Sequence, residues 1–244
     1  MIRLLAPLPE PLPATLTLDG ERFHYLVRVL RLTEGDALEV FDGAGRAFHA
    51  KVARVGEATA ELSLGVAVAR AAAAPLLLIQ GMPKGDKLEW VLQKGTELGA
   101  TRFLPADTVR AVVKLEPKRA QERVKRWAKI VEEAARQCGR ADVPEVDAPR
   151  PLLDAVAALP QGTSVLVLDE EEKARPLSRA VADVAPGAPL ALVVGPEGGL
   201  SREEVQALVS RGAVPVTLGA RILRTETAAL AGLALLQHLR GELG

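Results

Sequence analysis

The sequence predicts an α/β protein in two parts: a small β domain over residues 1–70 and a larger parallel-sheet domain over 75–244. Three observations predict it. Before residue 70, short strand-like runs are separated by tight turns. After Pro75, strand-like and helix-like runs alternate, the order of a mostly parallel sheet with helices on both faces. Two of the later runs, 165–168 and 190–194, are apolar without a break, as in strands buried on both faces. The 244 residues are 48% hydrophobic and 25% charged, enough to bury a core.

Each element has a local cause. A short helix at 23–30 precedes the turn Glu34-Gly35-Asp36. Strand-like runs follow at 37–41, 47–55 and 58–66, and Asp42-Gly43-Ala44-Gly45 joins the first two with glycine where positive φ is needed. Short strands on tight turns suggest a small barrel. Arg70-Ala71-Ala72-Ala73-Ala74-Pro75 reads as a linker. Residues 76–79 form a short apolar strand. Asp86-Lys87-Leu88-Glu89 has the form of a capping box, opening a helix to Leu98 that Gly99 stops. A strand at 102–104 follows. Pro117 opens a helix whose stripe of Ala120, Val124, Trp127, Val131, Ala134 and Cys138 recurs at the helical period. Trp127 and Cys138 are therefore assigned to the core, and Trp90, at an apolar position of the preceding helix, is assigned there as well. A later strand at 214–218 carries Pro215 near its start or on an edge. The last helix spans 225–239, apolar on most sides, and stops near Gly241.

Charge narrows the function. The 31 basic and 31 acidic residues cancel, yet residues 110–140 hold 10 basic against 4 acidic side chains. That is a local basic surface on a neutral chain, suited to phosphates. The single cysteine excludes a disulfide framework within the chain, and His24, His49 and His238 lack metal-ligand spacing, so no metal is expected. No apolar run approaches the ~20 residues of a membrane span. The proline-rich N-terminus does not read as a secretory leader, and a cytoplasmic protein is expected.

Two loops concentrate the chemistry. In Val194-Gly195-Pro196-Glu197-Gly198-Gly199-Leu200-Ser201 a buried strand runs into a glycine-rich loop and then a helix, with Ser201 and Glu204 as a capping box and Leu200 and Val205 as a hydrophobic staple. Such a loop at a strand's carboxyl end sits where open α/β sheets bind ligands. It is neither G-x-G-x-x-G nor a P-loop, so no nucleoside diphosphate is implied. On its residues alone it is equally a ligand cradle or a connecting turn. Leu218-Gly219-Ala220-Arg221-Ile222-Leu223-Arg224-Thr225-Glu226-Thr227 also follows a strand and opens a helix, with Thr225 as its cap. Ile222 and Leu223 either wall a flat aromatic ligand or plug the end of the sheet. Asp169-Glu170-Glu171-Glu172 reads as a cofactor-positioning loop or as a solvated one.

These two loops together resemble the signature of the RsmE family, ribosomal RNA uridine-N3 methyltransferases of the SPOUT class. Lys84-Gly85-Asp86-Lys87-x-Glu89, Gln93-Lys94-x-Thr96-Glu97-Leu98-Gly99, Trp127-x-Lys129-Ile130, Glu133-Ala134-Ala135-Arg136-Gln137-Cys138-Gly139-Arg140, and His24 with Val29-Leu30-Arg31 are similar to the same family. The resemblance covers nearly the whole chain. One departure is Thr108-Val109-Arg110-Ala111, where the family pattern has an acidic residue before the arginine and serine after it.

The resemblance implies a C-terminal SPOUT domain with a deep trefoil knot, an exception to the rule against knots, and an N-terminal PUA-like β-barrel that binds RNA. It implies S-adenosyl-L-methionine as cofactor, held by Leu168, Gly195, Glu197, Gly198, Gly199, Leu218, Gly219, Ile222, Leu223, Arg224 and Thr225. It implies a homodimer, and as substrate a uridine of 16S rRNA in the small ribosomal subunit. Uridine N3 is a nucleophile only once its proton leaves, so a base or an anion-stabilising cation is needed. Glu197 and Glu226 are the candidate acids, and Arg224 and Arg140 the candidate cations. Arg28, Arg31, Arg110, Arg119, Arg123, Arg126 and Arg140, with Lys114, Lys118, Lys125 and Lys129, are the candidate RNA contacts. A non-catalytic RNA-binding protein on the same scaffold and an α/β nucleotide-binding regulator are the competing readings.

Overall fold

The computed structural model describes residues 1–69, 74–113 and 116–244. Residues 70–73 of the expected linker, and Lys114, lie outside them. The chain divides into two units, 1–72 with 135–143, and 73–134 with 144–244. Residues 135–143 thus join the first unit, where the sequence reading has one continuous domain from 75.

The first unit contains β1 (Arg3–Leu5), β2 (Thr15–Leu18), α1 (Gly20–His24), β3 (Ala37–Phe41), β4 (Ala47–Val55) and β5 (Ala60–Ala67). The strands form one sheet in the order β1-β3-β4-β5-β2, antiparallel except for the β1–β3 pair. Its core gathers Leu16, Leu18, Leu26, Leu38, Val40, Val52 and Leu62. At the β3–β4 turn the Asp42 carboxylate accepts from the Ala44 and Arg46 N–H groups, and Gly43 and Gly45 take positive φ. The expected helix starts earlier, at Gly20, and widens to a π-helical pitch over Tyr25–Val29. It closes through the Leu32 N–H on Leu26 O (3.1 Å), which puts Arg31 at φ +55, a left-handed conformation unusual for a residue with a Cβ. Arg3 explains why residues 135–143 belong here. Its guanidinium pairs with Glu39 (2.6 Å), stacks on Phe41 and donates to Ala135 O (3.1 Å) and Arg136 O (3.2 Å).

The second unit contains β6 (Leu76–Gly81), α2 (Lys87–Glu97), β7 (Arg102–Asp107), most of α3 (Pro117–Cys138), β8 (Glu145–Val146), β9 (Arg150–Pro151), α4 (Leu152–Ala157), β10 (Ser164–Leu168), α5 (Leu177–Ala182), β11 (Leu190–Val194), α6 (Arg202–Val209), β12 (Val214–Val216) and α7 (Thr225–Leu239). Its strands run β12-β10-β11-β6-β7-β8, with β9 also on β7, and every pair is parallel. Pro215 lies in the edge strand β12, which has no second neighbour to receive its missing N–H. Alternation separates the faces. Leu77, Ile79, Val167, Ala191 and Val193 pack with Leu152, Val205 and Leu208 of α4 and α6. On the other face α2 and α7 come close: a Cβ on Gly95 would lie 2.8 Å from the Phe103 ring, and one on Gly232 2.5 Å from Leu192.

Several local expectations are corrected. Trp127 is buried, but Trp90 is 49% exposed and Cys138 is exposed. The buried face of α2 is Leu88, Val91, Leu92, Gly95 and Thr96, and Trp90 projects from the opposite side. The capping box at Asp86 does not form; Asp86 makes no side-chain cap bond, and the Glu89 carboxylate turns to Arg126 (2.6 Å) and Arg123 (3.7 Å). The box at Ser201 and Glu204 forms in both directions.

Candidate functional site

Parallel pairing brings the carboxyl ends of β6, β10, β11 and β12 to one edge of the sheet. There the loops after β10, β11 and β12, with Lys87, Arg110 and the start of α7, line a cleft of about 410 Å³. That is within the range of small-molecule and cofactor sites.

The first glycine-rich loop follows β11. It closes with the Gly199 N–H on Pro196 O (2.9 Å), and Gly199 takes φ +67. A Cβ on Gly195 would stand 2.8 Å from the Gly199 carbonyl carbon, whereas one on Gly199 would meet nothing closer than 3.7 Å. Gly195 is therefore required by space, and Gly199 by its backbone angle. From behind, Gly81 of β6 presses on the loop: its Cβ would lie 2.6 Å from Pro196 Cδ.

Next to Gly81 is a residue the sequence reading passed over. Gln80 is 1% exposed. Its Nε2 donates to Thr225 Oγ1 (2.9 Å) and Gly195 O (3.3 Å), and Thr225 Oγ1 donates to Gly195 O (2.6 Å). Thr225 is not the helix cap expected of it; Arg224 occupies that position without a side-chain bond. Its hydroxyl instead ties the two loops together. The signal was a glutamine ending the apolar run Leu76–Ile79, where burial demands a partner for each polar atom.

The second loop contributes the half-buried Leu218 and Leu223, opposite Leu168 at the end of β10. Gly219 takes φ +114 beside Thr217, and Ile222 stands at the rim, 79% exposed. Asp169, Glu170 and Glu171 also line the cleft. Asp169 is held by Arg202 (3.0 Å), and that guanidinium, against the effect of burial, keeps its carboxyl below the usual range.

The sequence-named residues divide plainly. Leu168, Gly195, Glu197, Gly199, Leu218, Gly219, Ile222, Leu223, Arg224 and Thr225 line the cleft; Gly198 does not, and its carbonyl accepts from Arg110 (3.0 Å). Arg110, expected on the RNA surface, lies on the cleft wall. Of the catalytic candidates, Glu197 and Arg224 line the cleft. Glu226 stands off the wall and reaches Lys87, whose Nζ lies 2.9 Å from Glu197 Oε1 and 3.4 Å from Glu226 Oε2. Burial alone would raise the Glu197 carboxyl, but the Lys87 ammonium and the Lys84 N–H bring it below its usual value. Arg140 belongs to the first unit, where it pairs with Asp142. Arg28 and Arg31 are exposed on that unit, and Arg119 on α3. Arg123 and Arg126 are engaged with Glu89. Among the described residues no group of three His, Cys, Asp or Glu side chains could hold a metal ion, and no helix is long and apolar enough to cross a membrane.

Comparison with known proteins converges on one family. Residues 70–237 match the RNA methyltransferase domain family, and residues 18–64 the RNA methyltransferase PUA domain. The ribosomal RNA small subunit methyltransferase E of Bacillus subtilis is 37% identical over 240 residues, covering 93% of each chain. That of Synechocystis is 34% identical over 97% of this chain and 77% of its own. The crystal structure of the Neisseria gonorrhoeae ribosomal RNA small subunit methyltransferase E bound to S-adenosylmethionine superposes with a TM-score of 0.85 at 31% identity, covering 98% of each chain. A putative methyltransferase from Legionella pneumophila in complex with the same cofactor gives 0.78 at 30% identity over 97% of each chain.

Proposed function

The chain belongs to the ribosomal RNA small subunit methyltransferase E family, and from that premise we propose that it transfers the methyl group of S-adenosylmethionine to N3 of a uridine in 16S rRNA of the small ribosomal subunit, in the cytoplasm. The observation that carries the reading is the cleft between the two loops. Its composition fits the cofactor: Leu168, Leu218 and Leu223 offer apolar surface to an adenine, and the carboxylates of Asp169, Glu170 and Glu197 suit a ligand with cationic groups. When bound, the cofactor supplies an electrophilic methyl group whose bond to sulfur breaks as the bond to nitrogen forms.

The chain's own residues supply the rest. Glu197 lines the cleft as an ionised carboxylate and accepts the N3 proton. Arg224, exposed on the same wall, faces the uracil oxygens on which negative charge develops. Arg140 has no part in this step; Asp142 already neutralises it. Leu218 to Thr225 and Gly195 to Gly199 are the knot loops of this reading. Each unit offers its own RNA contacts, Arg28 and Arg31 on the first and Arg119 of α3 on the second.

The active form is a homodimer. On adjoining helices of the second unit, Trp90 (49% exposed), Leu235 (42%) and Leu239 (40%) leave apolar surface open to water. A second copy covers it. Sedimentation of Leu235→Glu as a monomer beside a dimeric parent supports this; a monomeric, active parent overturns it.

The function is tested with labelled S-adenosylmethionine and small subunits from cells that lack this methylation. Mass spectrometry of the digested RNA should show one 3-methyluridine per subunit. Methylation at another atom or base, or none, would refute the assignment.

A further inference from the structure

Lys87 has no role in the catalytic reading, yet among the described residues it is the side chain that pairs with both candidate acids. It leaves the first turn of α2, enters the wall of the cleft, and sets its ammonium between Glu197 of the β11 loop and Glu226 of α7. The two carboxylates are thereby drawn to one cation from separate parts of the chain. Glu226 Oε2 is buried and receives no hydrogen bond, so the Lys87 charge is its main compensation. Glu197 is fixed by Lys87 and by the Lys84 N–H (3.1 Å), with its carboxylate still on the cleft.

We infer that Lys87 is a positioning residue for methyl transfer, bridging Glu197 and Glu226 and aiming Glu197 into the cleft. Two carboxylates that share a site repel one another, and losing the cation between them favours a proton on one of the two. Lys87 stands in the place of that proton. The other charged groups nearby do not replace it. Arg202 is occupied by Asp169, Arg110 is bound to the Gly198 carbonyl, and the Arg224 side chain lies exposed on the cleft wall. The Lys87 ammonium itself is held charged by its hydrogen bond to Glu197 more than burial discharges it. The inference rests on the reading of Glu197 as proton acceptor, and it is tested by a titration that needs neither cofactor nor RNA.

The variants are Lys87→Met, which keeps the length and loses the charge, and Lys87→Arg, which keeps the charge. Carbon-13 NMR of glutamate-labelled protein follows the carboxyls, assigned through Glu197→Gln and Glu226→Gln. In Lys87→Met one of the two should titrate about one pH unit or more above its parent value. The acid limb of single-turnover methyl transfer should move up with it, so that the rate at a fixed pH on that limb falls about tenfold for each unit of the shift while the rate on the plateau above it is kept. Lys87→Arg should restore both. An unmoved titration in a folded Lys87→Met protein overturns the inference, as does a loss of rate that is uniform across pH. A shifted titration beside an unmoved acid limb overturns Glu197 as the proton acceptor, and Lys87's part in the reaction with it. Absence of methyl transfer by the parent protein at every pH would instead overturn the functional assignment, and the titration would still decide the protonation.

Discussion

Thr225→Val removes one oxygen and almost no volume, which makes it a clean probe of how the cofactor loops are held. In the native protein Thr225 Oγ1 donates to Gly195 O (2.6 Å) and accepts from Gln80 Nε2 (2.9 Å), and the residue is 6% exposed. Valine leaves Gln80 Nε2 with Gly81 O (3.0 Å) and the longer contact to Gly195 O (3.3 Å), and leaves Gly195 O with that longer bond alone. Water cannot easily make up the loss, because Gln80 is 1% exposed. Each hydrogen bond lost contributes about 0.5–1.5 kcal/mol, so about 2 kcal/mol is expected for the pair. For a domain of this size that lowers Tm by about 4–8 °C. If half of it acts on the loop geometry, S-adenosylmethionine binds about fivefold more weakly. Calorimetry gives both numbers on one sample, and Thr225→Ser, which keeps the hydroxyl, should return both toward the parent. A Val variant with parental Tm and parental affinity would show that the network contributes nothing, and the loops would have to be held by packing alone.

Gly81→Ala should fold but lose at least about tenfold in S-adenosylmethionine affinity, since the new Cβ would lie 2.6 Å from Pro196 Cδ and push the first loop forward; parental affinity by calorimetry would refute the close approach. Arg202→Ala removes the partner that lowers the Asp169 carboxyl. The parent's stability advantage should then be complete above the ordinary aspartate range and disappear as pH falls through the lowered native value, measured by denaturant melts at several pH values. Arg119→Ala should reduce the salt slope of RNA binding by roughly 0.7–0.9 if it meets one phosphate. Arg126→Ala should also lower Tm, because it strips the nearer cation (2.6 Å) from the 12%-exposed Glu89 carboxylate.

Much of the fold was legible because its patterns are local. The runs 37–41, 47–55, 190–194 and 225–239 coincide with β3, β4, β11 and α7, each set by alternation, an unbroken apolar stretch or helical period and closed by glycine turns. β1 and β2 escaped because they are three and four residues long, too short to show a period, and flank a proline-rich segment. The α3 stripe was right at Trp127 and Val131 and failed at Cys138, in the last turn of the helix, which is exposed. Trp90 failed for another reason: it stands among apolar residues of α2, but the buried face of that helix runs through Leu88, Val91 and Leu92, on the other side.

The site shows where such reading stops. Its two glycine loops announce themselves as contiguous motifs, but their support comes from β6 and α2, more than a hundred positions earlier in the chain. Gly81 leaves room for Pro196, Gln80 binds Gly195 and Thr225, the Lys84 N–H reaches Glu197, and Lys87 joins Glu197 to Glu226. The partners that make these residues part of the site lie more than a hundred positions away, so local spacing does not pair them. They come together because β6 pairs directly with β11, in register from Leu76 on Leu190 to Gln80 on Val194. That pairing carries the end of one strand, and the turn that follows it, beneath the loop of the other. A ligand held by backbone needs a backbone that does not move, and each contact from this stretch fixes a carbonyl, a carboxylate or a turn of the cofactor loops. Segment 80–87 therefore backs the cofactor loops and reaches the cleft itself at Lys87, and substitutions there should act on the reaction as strongly as substitutions in the motifs themselves.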